Sequence, residues 1–391
     1  MSESRTCPSC GAPAPGESNF CEECGTSLAA PGATADAPPA AALDQAGEAS
    51  PISDLGSGPI SRATQTSHSA AEPAQESTPG PCLSCGGVIG PDLYCEQCGV
   101  KALSARDHFR EQAAPWVAGV CDKGIRHHRN EDAMAMMASP DGGAADRRAV
   151  LVVLDGVSNT DDSQIGSLAG AKSARAVLAV PFPDGLGTPE SRLAAVTQVL
   201  TNAVKAAQVD VVAAATPGSP HPASATFSAA VLEGDVVSYA NVGDSRSYWL
   251  PDGSAGVQLS VDDSAAQAMI AEGMSRVEAE SSPQAHAITK WLGVDSEDHT
   301  PMVGQLQITE PGWLLVCSDG LWNYASEPKQ LTDQMLAAGT VDPAALALAL
   351  TEFANACGGQ DNITTVFARI PGPVSVHNAE QTPTTKEHPH G

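Results

Sequence analysis

The sequence has few basic residues and no long apolar run. Its 391 residues include 20 Lys and Arg against 46 Asp and Glu, a formal net charge of −26 at pH 7. Because like charges repel, nucleic acid and anionic membrane surfaces are poor default partners. No apolar run approaches the ~18–20 residues of a membrane span, and residues 1–6 lack the basic-then-apolar pattern of a secretory signal. We therefore expect a soluble cytoplasmic protein that binds neither nucleic acid nor membrane.

The 11 cysteines are unevenly distributed, since eight of them form four C-x-x-C pairs within the first 98 residues. These pairs are Cys7 and Cys10, Cys21 and Cys24, Cys82 and Cys85, and Cys95 and Cys98. Glycine follows each pair and permits the tight turn that places two thiolates on one knuckle. Two facing knuckles make a tetrahedral four-sulfur site suited to zinc. The pattern predicts two zinc ribbons, in residues 1–28 and 82–103, each with one structural Zn²⁺.

Two other interpretations of the cysteine pairs are disfavoured. Disulfides require an oxidising compartment, and no secretory signal provides one. Nucleic-acid binding requires several basic residues, whereas the first ribbon has only Arg5 and the second only Lys101. We therefore expect the ribbons to be structural or to bind a protein partner.

The rest of the chain divides by composition. In residues 29–81, 38 of 53 residues are Ala, Pro, Ser, Gly or Thr and none is aromatic. Such a segment cannot bury enough apolar surface to offset the entropy of ordering, so it is predicted to be a disordered linker. Residues 371–391 have a similar composition and are predicted to be a disordered tail. Between them, a connector at 104–114 is expected to precede a globular domain at 115–370, which contains all five Trp.

Short apolar runs alternate with helical patterns in the globular domain. The predicted strands are Trp116–Cys121, Ala149–Leu154, Ser224–Leu232, Asp235–Asn241, Ser245–Leu250, Trp313–Cys317 and Thr364–Arg369. Helices are predicted to begin at the N-caps Thr188 and Asp342, each followed by Pro, and a third to run from about Asp162 to Val180. Turn signals at Glu233-Gly234 and Gly243-Asp244 predict a meander of three strands. The pattern favours an α+β fold with antiparallel sheets and helices on their outer faces.

Carboxylates recur at the ends of these strands. Asp155, Asp244 and Asp319 follow apolar runs, Asp361 precedes one, and Glu131-Asp132 lies shortly after the first strand. Each alone is commonly a turn residue. Together they would repel one another unless cations lay among them, and hard oxygen ligands suit Mg²⁺ or Mn²⁺. Two such ions can activate a bridging water and hold a phosphoryl group.

Five motifs, taken in order, resemble those of the metal-dependent serine/threonine protein phosphatases of type 2C, the PPM family, and especially its bacterial branch. The motifs are Asn130-Glu131-Asp132, Leu154-Asp155-Gly156-Val157-Ser158, Val242-Gly243-Asp244-Ser245-Arg246, Cys317-Ser318-Asp319-Gly320-Leu321-Trp322 and Gln360-Asp361-Asn362-Ile363-Thr364. The resemblance covers nearly all of the globular domain, and the ribbons lie outside it. It implies a four-layer α-β-β-α sandwich of two antiparallel sheets flanked by helices, with the metals in a cleft at one end.

The resemblance also implies site residues. Asp155 would bridge two Mn²⁺ or Mg²⁺ ions, and the Gly156 carbonyl would bind one of them. The other implied ligands are Glu131, Asp132, Asp319 and Asp361. Asp244, with Asp319, corresponds to a third metal site of bacterial members, and Asn362 would orient a ligand or a water.

The implied activity is hydrolysis of phosphoserine and phosphothreonine in proteins by a metal-activated water, with Asp155, Asp319 and Asp361 catalytic. The expected partners are phosphorylated proteins and a serine/threonine kinase. Two positions depart from the family. His127 stands where an arginine usually holds the substrate phosphate, so Arg129 or the alternative Arg126 is expected to do so. Val157 replaces a histidine proposed as general acid. The alternative function is a weakly catalytic, phosphatase-like scaffold that binds partners through its ribbons.

Overall fold

The computed structural model describes residues 4–6, 13–15, 87–90, 94–99, 102, 104–158 and 160–373. Six of the eight predicted zinc ligands, the predicted linker, and all but the first three residues of the predicted tail lie outside this part of the chain. Residues 1–75 form a separate unit, in which β1 (Ser4–Thr6) pairs antiparallel with β2 (Pro13–Pro15).

Part of the second predicted ribbon is described. Ile89 forms an antiparallel bridge with Cys95, and the Gly99 N–H donates to the Cys95 carbonyl at 2.8 Å. Gly99 has a φ of +70°, a left-handed conformation that glycine adopts without steric cost. The segment from Cys95 to Gly99 is therefore the tight turn that the C-x-x-C-G pattern predicts.

The remaining elements belong to residues 76–391. The strands are β3 (His108–Ala114), β4 (Val117–Asp122), β5 (Ala133–Ala138), β6 (Arg148–Leu154), β7 (Ser224–Ala225), β8 (Phe227–Glu233), β9 (Val236–Val242), β10 (Arg246–Pro251), β11 (Val257–Gln258), β12 (Leu292–Gly293), β13 (Met302–Gln307), β14 (Gly312–Cys317) and β15 (Ile363–Ile370). The helices are α1 (Ser163–Leu178), α2 (Pro189–Ala214), α3 (Ala265–Ala271), α4 (Arg276–Glu280), α5 (Asp319–Trp322), α6 (Pro328–Ala338) and α7 (Pro343–Ala356).

The strands form two larger antiparallel sheets. One sheet has the order β11-β10-β14-β15-β4-β3, and the other has the order β13-β9-β8-β6-β5. A short pair, β12-β7, lies outside both. Alternation along β6 shows how the sheets are covered: Val150 and Val152 pack with α1 and α2, whereas Leu151 and Val153 pack with the other sheet. A third apolar cluster joins the six-stranded sheet to α5, α6 and α7. The expected pair of antiparallel sheets with flanking helices is therefore confirmed.

The helix starts follow the sequence signals. The Thr188 side chain accepts a hydrogen bond from the Ser191 N–H at the start of α2, and Asp342 accepts one from the Ala345 N–H at the start of α7. Both helices have Pro at the first position, where its missing N–H costs nothing. Both predicted N-caps are thus confirmed. No single described helix is long and apolar enough to cross a membrane, and α6 and α7 meet that criterion only as a pair bent by 113°.

Two predictions about the strands are wrong. The expected connector 104–114 contains β3, which pairs along β4 as an edge strand. The middle residues of β3, including Arg110 and Glu111, are exposed, so β3 lacks the apolar pattern from which the other strands were predicted. The expected three-strand meander is broken at Gly243, because β8 and β9 form a hairpin but β10 belongs to the other sheet.

Candidate active site

The acidic residues of the five motifs lie at one end of both large sheets. Asp132 directly precedes β5, Asp155 directly follows β6, and Asp244 follows β9 by two residues. From the six-stranded sheet, Asp319 begins α5 just after β14 and Asp361 lies two residues before β15. The charges of the other four aspartates all act on Asp155. The structure therefore brings together Asp132 and Asp361, which are 229 positions apart in sequence.

Four of these carboxyls resist ionisation. Burial, followed by the charge of Asp262, raises the pKa of Asp244 to about 7, and burial raises the pKa of Asp132 to about 6. Burial and the neighbouring carboxylates raise the pKa of Asp155 and of Asp319 well above the ordinary range. Within the described residues, no lysine or arginine forms an ion pair with any of the four. A bound cation would supply the missing compensation.

Glu131 has the opposite environment. Burial alone would raise its pKa, but hydrogen bonds involving His127, Arg129 and Ser163 together lower it. Arg129 donates from Nε and Nη2 to Glu131 Oε1 at 3.0 and 2.8 Å, and Ser163 Oγ donates to the same oxygen at 2.8 Å. Glu131 is therefore held as a carboxylate at the edge of the aspartate group.

Asn362 fixes the loop that carries Glu131. Its Oδ1 accepts the Glu131 N–H at 2.7 Å, while its Nδ2 donates to the carbonyls of Lys123 and Arg129 at 2.8 and 3.1 Å. This one side chain satisfies three backbone groups of the 123–131 segment. Asn362 and Glu131 are 231 residues apart in sequence. Its side chain thus holds the backbone around Glu131, while its own backbone N–H donates to Asp361 Oδ1 at 2.7 Å.

The carboxylate oxygens suit a hard divalent cation. Asp132 Oδ1 and Asp319 Oδ1 are buried without a hydrogen-bond partner in the described structure, a situation that costs about 1–3 kcal/mol per group. Oxygen donors of this kind are those that Mg²⁺ and Mn²⁺ prefer. Among the described residues, no group of three or more His, Cys, Asp or Glu side chains is already arranged to hold a metal ion. A β-carbon on Gly156 would lie 2.5 Å from the Glu131 carbonyl oxygen, so only glycine fits there.

The basic residues near the cluster are placed differently from one another. Arg129 is tied to Glu131 and also donates to the Thr160 carbonyl at 2.9 Å. The exposed side chain of Arg126 forms no ion pair or hydrogen bond within the described structure. His127 Nε2 lies 3.2 Å from Asp361 Oδ1 and His127 Nδ1 lies 3.6 Å from Glu131 Oε2. His127, noted in the sequence only as a departure, therefore belongs to the cluster.

A cavity of about 530 Å³ opens beside Asp319 and Asp361. Its other lining residues include His286, Trp322, Asn323, Tyr324, Gln330 and Gln360. Asn323 Nδ2 donates to Asp319 Oδ2 at 3.1 Å, and the His286 ring stacks on Trp322 with centroids 6.3 Å apart. Carboxamides, an imidazole and aromatic rings can bind a polypeptide through its backbone and side chains without a charge requirement.

The segment containing α3 and α4, residues 265–291, forms one wall of this cavity through Glu280 and His286. It has a small apolar cluster of its own, built on Ala266, Ala279 and Ala285. Arg246 anchors it, since this buried guanidinium contacts Glu280 at 3.1 Å and Asp262 at 2.7 Å. Sequence reasoning used the Val242–Arg246 motif only for Asp244 and missed this arginine.

Two family models match the chain. One, described as protein phosphatase 2C, matches residues 126–355, and one described as double zinc ribbon matches residues 7–99. Serine/threonine protein phosphatase PstP of Mycobacterium tuberculosis is 32% identical over 146 residues, which are 37% of this chain and 27% of PstP. Serine/threonine phosphatase stp of Listeria welshimeri is 33% identical over 144 residues, which are 36% of this chain and 55% of stp. The matched segments thus span about a quarter and about half of these relatives.

Solved structures share the fold. The crystal structure of the M. tuberculosis phosphatase PstP/Ppp is 25% identical, with a TM-score of 0.51, over 65% of this chain and 98% of that one. The Streptococcus agalactiae (S. agalactiae) serine/threonine phosphatase structure has a TM-score of 0.53 at 22% identity, over 66% of this chain and 98% of that one. These likenesses cover the two sheets and their flanking helices.

Proposed function

The chain belongs to the protein phosphatase 2C family, and we propose from this premise that it is a metal-dependent phosphatase acting on phosphoserine and phosphothreonine in proteins. The observation that carries the proposal is the group of five aspartates at the shared end of both sheets. Four of them, all but Asp361, form no ion pair with a lysine, arginine or histidine among the described residues, so cations would compensate their charge. Paired hard cations are suited to phosphoryl transfer. The printed names of PstP and stp, both serine/threonine phosphatases, support the same reaction.

Mn²⁺ or Mg²⁺ is the cofactor that this donor set favours. The residues that would hold two ions are Glu131, Asp132, Asp155, Gly156 through its carbonyl, Asp319 and Asp361, with Asp244 and Asp319 forming a third site. When bound, such ions activate a water for in-line attack and compensate charge on the phosphoryl oxygens. The buried, unpartnered Oδ1 atoms of Asp132 and Asp319 support this assignment.

The chain's own side chains would bind and orient the substrate. A planar guanidinium can grip a phosphate with two parallel N–H groups. Arg129 has already committed Nε and Nη2 to Glu131, whereas Arg126 has its whole guanidinium available. The cavity beside Asp319 would take the peptide that flanks the phosphorylated residue. Because Glu280 in its wall is paired with Arg246 and Arg276, the cavity does not select peptides by a free charge from this glutamate.

Hydrolysis of a phosphothreonine peptide tests the proposal. The full chain is assayed with Mn²⁺, with Mg²⁺ and with a chelator, beside Asp319→Asn and the matched control Asp184→Asn. Asp184 is 88% exposed and lies outside the cluster, so the control keeps the same chemical change on the surface. We expect metal-dependent turnover in wild type and Asp184→Asn, with a loss of at least about 100-fold in Asp319→Asn, as for removal of one electrostatic catalytic group.

The same assay distinguishes the proposed phosphatase from the alternative function, a phosphatase-like scaffold. A folded wild-type protein that binds Mn²⁺ in calorimetry but releases no phosphate would be the phosphatase-like scaffold instead. We further propose that the zinc ribbons, each with one Zn²⁺, bind a protein partner such as a kinase or its substrate. Tethering would raise the local concentration of the phosphorylated protein at the cavity. The match to the double zinc ribbon family supports the zinc assignment.

A further inference from the structure

Two hydroxyl groups form hydrogen bonds to one oxygen of the Asp132 carboxyl. Its Oδ2 accepts hydrogen bonds from Ser318 Oγ at 2.7 Å and from Thr364 Oγ1 at 2.8 Å. All three residues have 0% exposure. The other oxygen, Oδ1, has no hydrogen-bond partner in the described structure. The two hydroxyls therefore fix one oxygen of the carboxyl and leave the other available.

The two hydroxyl residues are rigidly joined to each other. The Thr364 N–H donates to Ser318 Oγ at 2.9 Å, and the Ser318 N–H donates to the Thr364 carbonyl at 3.1 Å. Thr364 Oγ1 also contacts Cys121 Sγ at 3.1 Å, opposite it on β4. Thr364 lies in β15 of the six-stranded sheet and Ser318 directly follows β14 of the same sheet, whereas Asp132 directly precedes β5 of the other sheet. These hydrogen bonds thus orient Asp132 across the gap between the sheets.

We propose that Ser318 and Thr364 are positioning residues that set the affinity of the aspartate cluster for divalent cations by fixing the orientation of Asp132. A ligand that is already oriented loses less conformational freedom when a cation binds. Outer partners of metal ligands typically change metal affinity by about 10–100-fold when they are removed. The proposal rests on the metal-dependent function argued above, but it concerns binding of the cation and not the reaction.

The neighbouring Thr365 provides a matched control. It has the same side chain and 0% exposure, but it points to the other face of β15. Its Oγ1 donates to the Ala347 carbonyl at 3.1 Å and lies 3.2 Å from Thr351 Oγ1, both in α7. A Thr365→Val change therefore removes a buried hydroxyl without altering the support of Asp132.

The test is calorimetric titration with Mn²⁺ of the full chain, freed of Mn²⁺ and Mg²⁺ but with Zn²⁺ retained in its ribbons, together with a thermal unfolding measurement. We expect Thr364→Val and Ser318→Ala to weaken Mn²⁺ binding by about tenfold or more. Thr364→Ser keeps the hydroxyl and is expected to bind within about twofold of wild type, and so is Thr365→Val, even if its melting temperature falls. Ser318→Ala decides the result if Thr364→Val fails to fold.

Wild-type affinity in Thr364→Val and Ser318→Ala would overturn the proposal, and so would an equal loss in Thr365→Val. A wild-type chain that binds no Mn²⁺ or Mg²⁺ would overturn both this proposal and the proposed function. Wild type that binds Mn²⁺ but hydrolyses no phosphopeptide would overturn the proposed function alone, because the affinity differences among the variants would still stand.

Discussion

The guanidinium of Arg246 lies 3.5 Å from the centroid of the Trp322 ring. On its edges the same guanidinium binds Asp262 through Nε and Nη2 and Glu280 through Nη2. The Trp322 indole N–H in turn donates to the Asp244 carbonyl at 2.8 Å. One cation–π pair therefore connects the α3–α4 segment to a strand end that carries an aspartate of the cluster.

Replacing Arg246 should strongly destabilise the domain. Arg246→Met would leave Asp262, only 3% exposed, as an uncompensated buried carboxylate, and breaking a buried ion pair in this way costs about 3–5 kcal/mol. Arg192→Met is the control, because Arg192 pairs with Asp184 at the surface and should lose less than about 1 kcal/mol. Urea unfolding followed by tryptophan fluorescence measures both. Equal losses in the two variants would contradict the role given to Arg246.

The pH dependence of stability should show the effect of the raised pKa of Asp244. Its pKa is raised by burial to about 7 in the folded state from 3.8, so the unfolded chain releases its proton first as the pH rises. Wild type without divalent cation should therefore lose stability between about pH 4 and pH 7, and Asp244→Asn should not lose this part. The measurement is the difference in unfolding free energy between variant and wild type across that range. We expect the unfolding free energy of the variant to exceed that of wild type by an amount that grows toward pH 7 and reaches a few kcal/mol. A difference that does not change with pH would contradict this explanation.

Arg129 and Arg126 should have separable roles. Arg129→Ala removes two hydrogen bonds to Glu131, whose pKa they help to lower, so Mn²⁺ binding should weaken. Arg126→Ala should leave Mn²⁺ affinity unchanged and raise KM for a phosphopeptide. Calorimetry with Mn²⁺ and steady-state kinetics on both variants give the answer. If Arg129→Ala kept its Mn²⁺ affinity and only KM rose, Arg129 would be the phosphate-binding residue.

Gly320 should tolerate no side chain. A β-carbon there would collide with the carbonyl oxygen of Asn362, a backbone atom that cannot move aside without shifting β15. We expect Gly320→Ala to lower stability by at least about 1–3 kcal/mol and to weaken Mn²⁺ binding by displacing Asp361. Gly253→Ala is the control, because its nearest neighbour is the flexible end of Glu310 at 3.3 Å. Thermal unfolding and Mn²⁺ titration check both, and similar behaviour of the two variants would contradict the prediction.

The second ribbon should be dispensable for the reaction on a small substrate. In the double variant Cys95→Ser and Cys98→Ser, we expect the zinc content to fall from two to one per chain while hydrolysis of p-nitrophenyl phosphate persists. Elemental analysis and a colorimetric assay measure the two quantities. Cys357→Ser alters an exposed cysteine outside the ribbons and should keep both zinc ions. Loss of hydrolysis together with the zinc would assign the ribbon a role in the reaction.

The sequence allowed the strand-end aspartates and the helix starts to be predicted because each is a local signal. Asp155 follows an unbroken apolar run, and Thr188 and Asp342 precede Pro as N-caps. The edge strand β3 could not be found in this way, since its exposed residues are stabilised by backbone pairing with β4 and carry no apolar alternation. The crossing at Gly243, with a φ of +93°, has the same sequence signature as a hairpin turn.

Contacts across long separations were also beyond the sequence. The sequence marks His127 only as a departure from the family pattern, and its place in the cluster follows from the 3.2 Å distance to Asp361. Ser318 and Thr364 stood inside recognised motifs, yet their hydroxyls gained a role only when Asp132 was placed between them. The resemblance to a family identified which carboxylates converge, and the packing of the two sheets determined what supports them.

The α3–α4 segment supplies none of the five aspartates, although it walls the cavity beside them. It enters and leaves the domain close together, with Ser264 bridged to Ile288, and it packs its own apolar residues. Part of the cavity wall, at Glu280 and His286, is consequently encoded by a stretch of the gene that supplies none of the five aspartates. Under the proposed function, replacement of residues 265–291 would change this part of the cavity wall and leave the aspartate cluster in place, provided that an acidic partner for Arg246 is kept at position 280.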